Sequence, residues 1–193
     1  PTTQISESKT LWVLGQNVTS HGVTAKNMKS RNLLLSNVQN FGVVGMLETH
    51  LFAKQASTEM KWLSKQAQLD ARFTTAIPTD RSENGSSGGT YVGVKHHITH
   101  KFPDESKGDP KAYRIDWRFV QVRLRRCIIN IGFVYFYGDD PDATLSNLNG
   151  IVRFLVYSKK LFILIGDFNK NPQKVAEFFP CNLLDAQVVL PSN

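Results

Sequence analysis

Apolar residues follow two different periods along this chain. Mostly apolar runs recur at Leu11-Trp-Val-Leu, Val43-Val-Gly-Met-Leu, Thr90-Tyr-Val-Gly-Val, Cys127 to Tyr137 and Leu161 to Ile165. Runs this short, closed by Gly or a polar residue, predict strands buried on both faces. Trp117 to Arg125 alternates instead. Phe119, Gln121, Arg123 and Arg125 fall on one side, and Arg118, Val120, Val122 and Leu124 on the other. That strand is expected to fold back on Cys127 to Tyr137 as a hairpin around Arg125-Arg126. Between the runs the spacing becomes helical. Asn27 to Asn40 brings Met28, Leu34, Leu35 and Val38 together, with Lys29 and Arg31 outside. Thr58 to Ala71 predicts a helix around Trp62 and Leu69 with a basic edge at Lys61 and Lys65. Another helix runs through Leu145, Leu148, Val152 and Leu155, and a short one follows from Asn171 to Phe179. Pro1 to Lys9 is polar, so residues 1–10 are read as an arm and 11–193 as one α/β domain.

Polar residues stand where the apolar runs stop. Asn17 follows the first, Glu48 the second, and Tyr135 lies near the end of the fourth. The fifth run enters Gly166-Asp-Phe-Asn. In an extended chain Asp167 and Asn169 would point the same way and Phe168 the other. A carboxylate beside a carboxamide at the mouth of a buried strand is costly to desolvate, and a hard cation or a phosphate offsets that cost. Glu48 and Asp167 are the carboxylates Mg²⁺ would take. Asn17 and Asn169 could donate to phosphate oxygens or orient a water. Tyr135 could donate to charge developing in a transition state. Each has a plainer alternative taken singly: an Asn that caps a strand, a solvated Glu, a core Tyr. His96, His97 and His100 read as solvated strand-end histidines without a carboxylate partner.

Composition narrows the class. A chain of 193 residues with 41% apolar content and a mean hydropathy of −0.25 can bury a full core. No stretch has the roughly 18 uninterrupted apolar residues of a membrane span. Cys127 and Cys181 form no pair motif and read as buried free thiols, which fits an intracellular protein, nuclear and organellar sites included. A net charge of +7 and a pI of about 9.5 favour a polyanionic partner such as nucleic acid.

Asn17, Glu48 in LETHL, Gly88-Gly89 before a strand, Tyr135, GDFN at Gly166 to Asn169 and Asn182-Leu-Leu-Asp-Ala together resemble the endonuclease/exonuclease/phosphatase superfamily. Its exonuclease III, apurinic endonuclease and LINE-retrotransposon branches are the nearest in wording. The resemblance covers residues 11 to 187. It implies a DNase I-like four-layer α/β sandwich, two mixed β-sheets flanked by helices, with the last strands missing from this chain. It also implies Mg²⁺-dependent phosphodiester hydrolysis. By position, Glu48 would bind the metal and Asp167 would orient or deprotonate the attacking water. Asn17 and Asn169 would hold the metal-side network and the phosphate, and Tyr135 would contact the phosphate. Arg123, Arg125, Arg126, Lys170 and Lys174 would meet a nucleic-acid backbone.

The sequence departs from the family pattern in three places. The family ends in a Ser-Asp-His element whose Asp and His act as a pair, and no His follows His100 here. Phe136-Tyr-Gly stands where the family has Pro-Asn after the strand Tyr, and Thr19 replaces an acid or amide. The expectation is therefore an endonuclease-like domain that is incomplete or inactive as this chain. The alternative is a non-catalytic relative reused as a structural or interaction subunit, with a protein partner over the sheet edge left open. A small-molecule phosphatase of the same superfamily is a third reading.

Overall fold

The computed structural model describes residues 10–18, 32, 35–75, 77–78, 86–103, 115–137, 151, 153, 155 and 158–169. The chain order is β1 (Val13–Asn17), β2 (Val43–Leu47), α1 (Ala53–Ala67), β3 (Leu69–Phe73), β4 (Ile77–Pro78), β5 (Ser86–Ser87), β6 (Tyr91–Lys95), β7 (His100–Lys101), β8 (Ile115–Arg123), β9 (Ile128–Phe136) and β10 (Leu161–Asp167). Two four-stranded sheets carry the fold, in the orders β1-β2-β6-β3 and β10-β9-β8-β7. Each has one parallel pair and two antiparallel pairs. A short antiparallel pair joins β4 to β5, with Ile77 opposite Ser87 and Pro78 opposite Ser86.

Alternation along β2 accounts for the layers. Val44 and Met46 face α1 with Ala56, Met60 and Leu63, while Val43 and Leu47 face the second sheet. On the second sheet Val120, Val122, Ile131 and Phe133 fill the space between the sheets. Phe119, Val134 and Phe136 point the other way, onto Ile151 and Leu155 of a helical stretch within 151–158. The result is a four-layer α/β sandwich: helix, sheet, sheet, helix. Its middle seam is tight because Gly15 and Gly45 face each other in register. A Cβ on Gly45 would run into the Phe133 ring, and one on Gly15 into the Ile165 side chain. Glycine there lets the rings sink between the sheets, and full burial of a side chain like Phe133 contributes about 1.5–3 kcal/mol.

Three sequence expectations are corrected. The helix expected over Thr58 to Ala71 runs instead from Ala53 to Ala67, and Leu69–Phe73 is a strand. The stop is at Gln68, whose φ of 55° is left-handed and whose N–H bonds to Ser64 O. No Gly or Pro marks that cap, so pattern alone carries the helix onward. Neither β1 nor β10 is buried on both faces: no β1 residue is fully buried and Trp12 just before it is 64% exposed, and in β10 Leu161 is 62% exposed and Ile163 41%. They share a face with Ile165, yet at that end of the edge strand no described residue covers them. Cys127 is a free thiol but half-buried rather than buried. The hairpin around Arg125-Arg126 forms as read, with Arg123 opposite Ile128 and Leu124 N–H bonded to Cys127 O at 2.9 Å. Residues 1–9 of the arm read over 1–10, the helix after Asn171 and Cys181 lie outside the described residues.

Candidate active site

Parallel strands end together, and that is how this fold gathers its polar strand ends. β1 pairs with β2 so that Asn17 is opposite Leu47, one residue before Glu48. β10 pairs with β9 so that Asp167 is opposite Tyr135. Face-to-face packing of the sheets then sets the two pairs against each other. Asn17 Nδ2 donates to Glu48 Oε2 at 2.9 Å and to Asp167 Oδ2 at 2.8 Å. Tyr135 donates its hydroxyl proton to Glu48 Oε1 at 2.9 Å. His50 Nε2 stands 3.2 Å from the same oxygen. Two carboxylates from different sheets, 119 residues apart in sequence (167 minus 48), thus share one amide nitrogen.

Glu48 is the electrostatic centre of the cluster. Its partial burial pushes the carboxyl upward, but the hydrogen bonds from Asn17, Tyr135 and His50 outweigh that and hold it below the ordinary carboxylate range. The backbone that presents it is unusual. Glu48 and His50 have φ of 57° and 56°, left-handed for residues bearing side chains, while Thr49 between them is buried. Thr49 N–H bonds to Gly89 O and His50 N–H to Gly88 O, each at 3.0 Å.

Asn169 takes a different place from the one alternation suggests. The strand ends at Asp167 and Asn169 turns left-handed, with φ of 47°. Its backbone N–H donates to Asp167 Oδ1 at 3.0 Å, an Asx turn that fixes the carboxylate. Its side chain donates to Phe136 O at 2.6 Å. Asn169 therefore orients Asp167 instead of joining Asn17 beside it. Phe168 turns back onto Phe136, ring centroids 5.1 Å apart.

Arg123, Arg125 and Arg126 are exposed at the opposite end of the β8–β9 hairpin from Tyr135. Seven residues of strand separate Ile128, the partner of Arg123, from Tyr135. At 3.3 Å per residue that is roughly 23 Å, so these arginines do not join the cluster. Lys170 and Lys174 lie outside the described residues. At the same far end His96 and His100 face Asp70 at 3.8 and 3.5 Å. This carboxylate is distant from them in sequence, which is why the reading of solvated histidines without one omitted it. Sequence reasoning also passed over Thr74 and Asp116 behind the Gly88–Gly89 turn. The available signal was an acid, with Arg118 two residues on, on a strand face that continues with Val120 and Val122.

No protein-family model matches the chain, and no curated protein matches it by sequence. Solved structures do match. The human Nocturnin catalytic domain, solved with bound sulfate, superimposes with a TM-score of 0.64 at 12% identity, over 91% of this chain and 71% of that one. A mannosyl-6-phosphatase from Bacteroides thetaiotaomicron gives 0.59 at 12% identity, over 90% and 71%. An endonuclease/exonuclease/phosphatase family protein from Leptotrichia buccalis gives 0.59 at 14%, over 88% and 72%. The chain has the fold of the endonuclease/exonuclease/phosphatase proteins.

Proposed function

We propose that the Asn17–Glu48–Asp167–Tyr135 cluster is the cation-binding centre of a Mg²⁺-dependent phosphodiesterase, endonuclease-like and acting on nucleic acid. The observation that carries this reading is Asn17 Nδ2, which donates to Glu48 at 2.9 Å and to Asp167 at 2.8 Å. Two carboxylates drawn to one nitrogen repel each other, and a neutral amide compensates only part of that. A divalent cation compensates the rest. The donor set fits Mg²⁺, which takes one or two carboxylates and fills its remaining positions with water and phosphate oxygens. Among the described residues no group of three His, Cys, Asp or Glu residues is placed to hold a metal.

Glu48 and Asp167 would hold the cation. When bound, it would polarise a phosphoryl oxygen and acidify a bound water. The chain's own residues do the remaining work. Asn17 fixes both carboxylates in one relative position. Tyr135 and His50 keep Glu48 ionised. Asp167, oriented by the Asn169 N–H, keeps lone pairs with which to take a proton from an attacking water.

Nucleic acid as substrate is supported by the net charge of +7. The fold itself does not choose, since the Bacteroides neighbour is described as acting on a sugar phosphate. No helix of the described residues is long and apolar enough to cross a membrane. Calorimetric titration with Mg²⁺ and Mn²⁺, followed by incubation with supercoiled plasmid, tests the proposal. One cation site is expected, lost in Glu48→Gln and in Asp167→Asn. Nicking should fall about 10²–10⁴-fold in Asp167→Asn, as for loss of a positioned base. Absence of cation binding overturns the reading. Binding without cleavage of any phosphate ester assigns the chain to the non-catalytic relatives. Hydrolysis of a sugar phosphate without nicking moves the substrate to phosphomonoesters.

A further inference from the structure

Behind the rim lies a carboxylate that the proposed reaction does not use. Asp116 is fully buried on β8, directly opposite Tyr135 in the β8–β9 register. Both its oxygens lie 2.6 Å from the Thr74 hydroxyl, which donates to them. Asp116 Oδ2 also accepts the Gly89 N–H at 2.9 Å. Thr74 Oγ1 in turn accepts the Thr90 N–H at 2.9 Å. From Gly89 the path continues through main chain. Gly89 O accepts Thr49 N–H and Gly88 O accepts His50 N–H, each at 3.0 Å. An unbroken line of hydrogen bonds therefore runs from Asp116 to the segment that presents Glu48 and His50.

Both strands of that contact are held in left-handed backbone: Glu48 at 57°, His50 at 56°, Gly88 at 77° and Gly89 at 89°. Glycine adopts this freely, whereas Glu and His do so only where the surroundings over-determine them. The surroundings here are the two glycine carbonyls, and the Gly89 N–H anchors their turn to Asp116. The cost of the anchor is visible in its ionisation: complete burial pushes Asp116 above the ordinary carboxylate range despite the bonds from Thr74 and Gly89. A buried carboxylate held against that cost by donors from two other segments is a fixed point rather than a surface acid.

We propose that Asp116 is a positioning residue, whose carboxylate fixes the Gly88–Gly89 turn and, through it, the backbone that aims Glu48 and His50 at the rim. Its functional meaning rests on the reading of the rim as a cation centre; its structural part does not. Amide hydrogen exchange on the metal-free protein, followed by Mn²⁺ titration, tests it. In Asp116→Ala the amides of Gly89, Thr49 and His50 should exchange about ten- to a hundredfold faster, the effect of one lost buried hydrogen bond. Those of Val122 and Ile129, at the far end of the sheet, should not change. In Asp116→Asn the side-chain carbonyl can still accept the Gly89 N–H, so exchange should return close to wild type. Mn²⁺ affinity should fall about tenfold in the Ala variant and recover in the Asn variant. If Asp116→Ala does not fold, Thr74→Val replaces it and should speed the same three amides by a smaller factor. Unchanged exchange at Thr49 and His50 in a folded variant overturns the proposal, as does an Asn variant as fast as the Ala variant. A wild-type protein that binds no Mn²⁺ defeats the cation-centre reading, while the exchange result still decides the role of Asp116.

Discussion

At the rim where β1, β2, β9 and β10 end, Glu48 and Asp167 are bridged by one amide at 2.9 and 2.8 Å, and Glu48 is only 18% exposed. At the opposite rim Asp70 faces His96 at 3.8 Å and His100 at 3.5 Å, and is 60% exposed. The residue types are similar: carboxylates, histidines and, at the far rim, arginines. The construction differs. Parallel pairing stacks four strand ends at the first rim, and two buried layers stand behind them. Antiparallel reversals build the second, where Asp70 and His96 extend into water while His100, expected to be solvated, is only 11% exposed. Shielding and multiple donors make the first rim a defined electrostatic site. The second is a solvated surface with geometry too long for strong bonds.

The largest expected effect that sharpens this contrast comes from Asn17. Asn17→Ala removes the one donor shared by both carboxylates and leaves them facing each other. If the rim holds a cation, Mn²⁺ affinity should fall about 10–100-fold, as is typical when a group orienting metal ligands is lost. Titration calorimetry measures this directly. Affinity unchanged or improved would mean that Asn17 merely occupies the cation's place and does not organise its ligands.

Much of this contrast was legible in the sequence, because apolar runs ending in polar residues mark strand ends whatever the topology. Asn17, Glu48, Tyr135 and Asp167 stand out in that way, whereas the four layers were implied only by the family resemblance and not by any pattern along the chain. What was not legible has local physical causes. Gln68 caps α1 in left-handed backbone without glycine, so β3 was hidden inside an apparent helix. Asn169 leaves the strand period by turning left-handed at its end, so its side chain bonds to the Phe136 carbonyl. Glu48 and His50 take the same unusual backbone where Thr49 and His50 bond to the Gly89 and Gly88 carbonyls, a contact across about 40 residues of chain that no local pattern encodes. The three arginines are assigned to a nucleic-acid backbone by charge alone. Charge carries no information about which end of a hairpin a residue occupies.

A smaller effect tests the electrostatics of the first rim. Glu48 has its folded-state pKa lowered, so its ionised form contributes stability that is fully present above the unfolded value. That stability is lost as pH falls through the folded value. The difference in stability between wild type and Glu48→Gln should therefore be constant near neutrality. It should shrink as pH falls below about 4, the ordinary Glu range. Denaturant unfolding across pH 2.5–7 would show it. A difference that does not vary with pH would mean that the bonds from Asn17, Tyr135 and His50 do not favour the ionised carboxylate.

The smallest expected effect is at the far rim, and it is the one most able to break the comparison. Asp70→Ala removes the carboxylate that both histidines face. Its contacts are at 3.5 and 3.8 Å, and the side chain is mostly in water. Exposed pairs of this kind contribute between nothing and about 1 kcal/mol, and salt screens them further. His100 keeps its own support in any case: its Nδ1 lies 2.7 Å from Ile98 O and its ring packs edge-on against Phe102 at 5.3 Å. Unfolding free energy should therefore change by no more than about 0.5 kcal/mol, and Mn²⁺ affinity should not change at all. A loss well above 1 kcal/mol would show that Asp70 ties β3 of one sheet to β7 of the other. A fall in Mn²⁺ affinity would show more. Strain at one end of the sandwich would then reach the other through β6, whose first residue Tyr91 pairs with Met46 beside the site and whose Val94 pairs with Asp70.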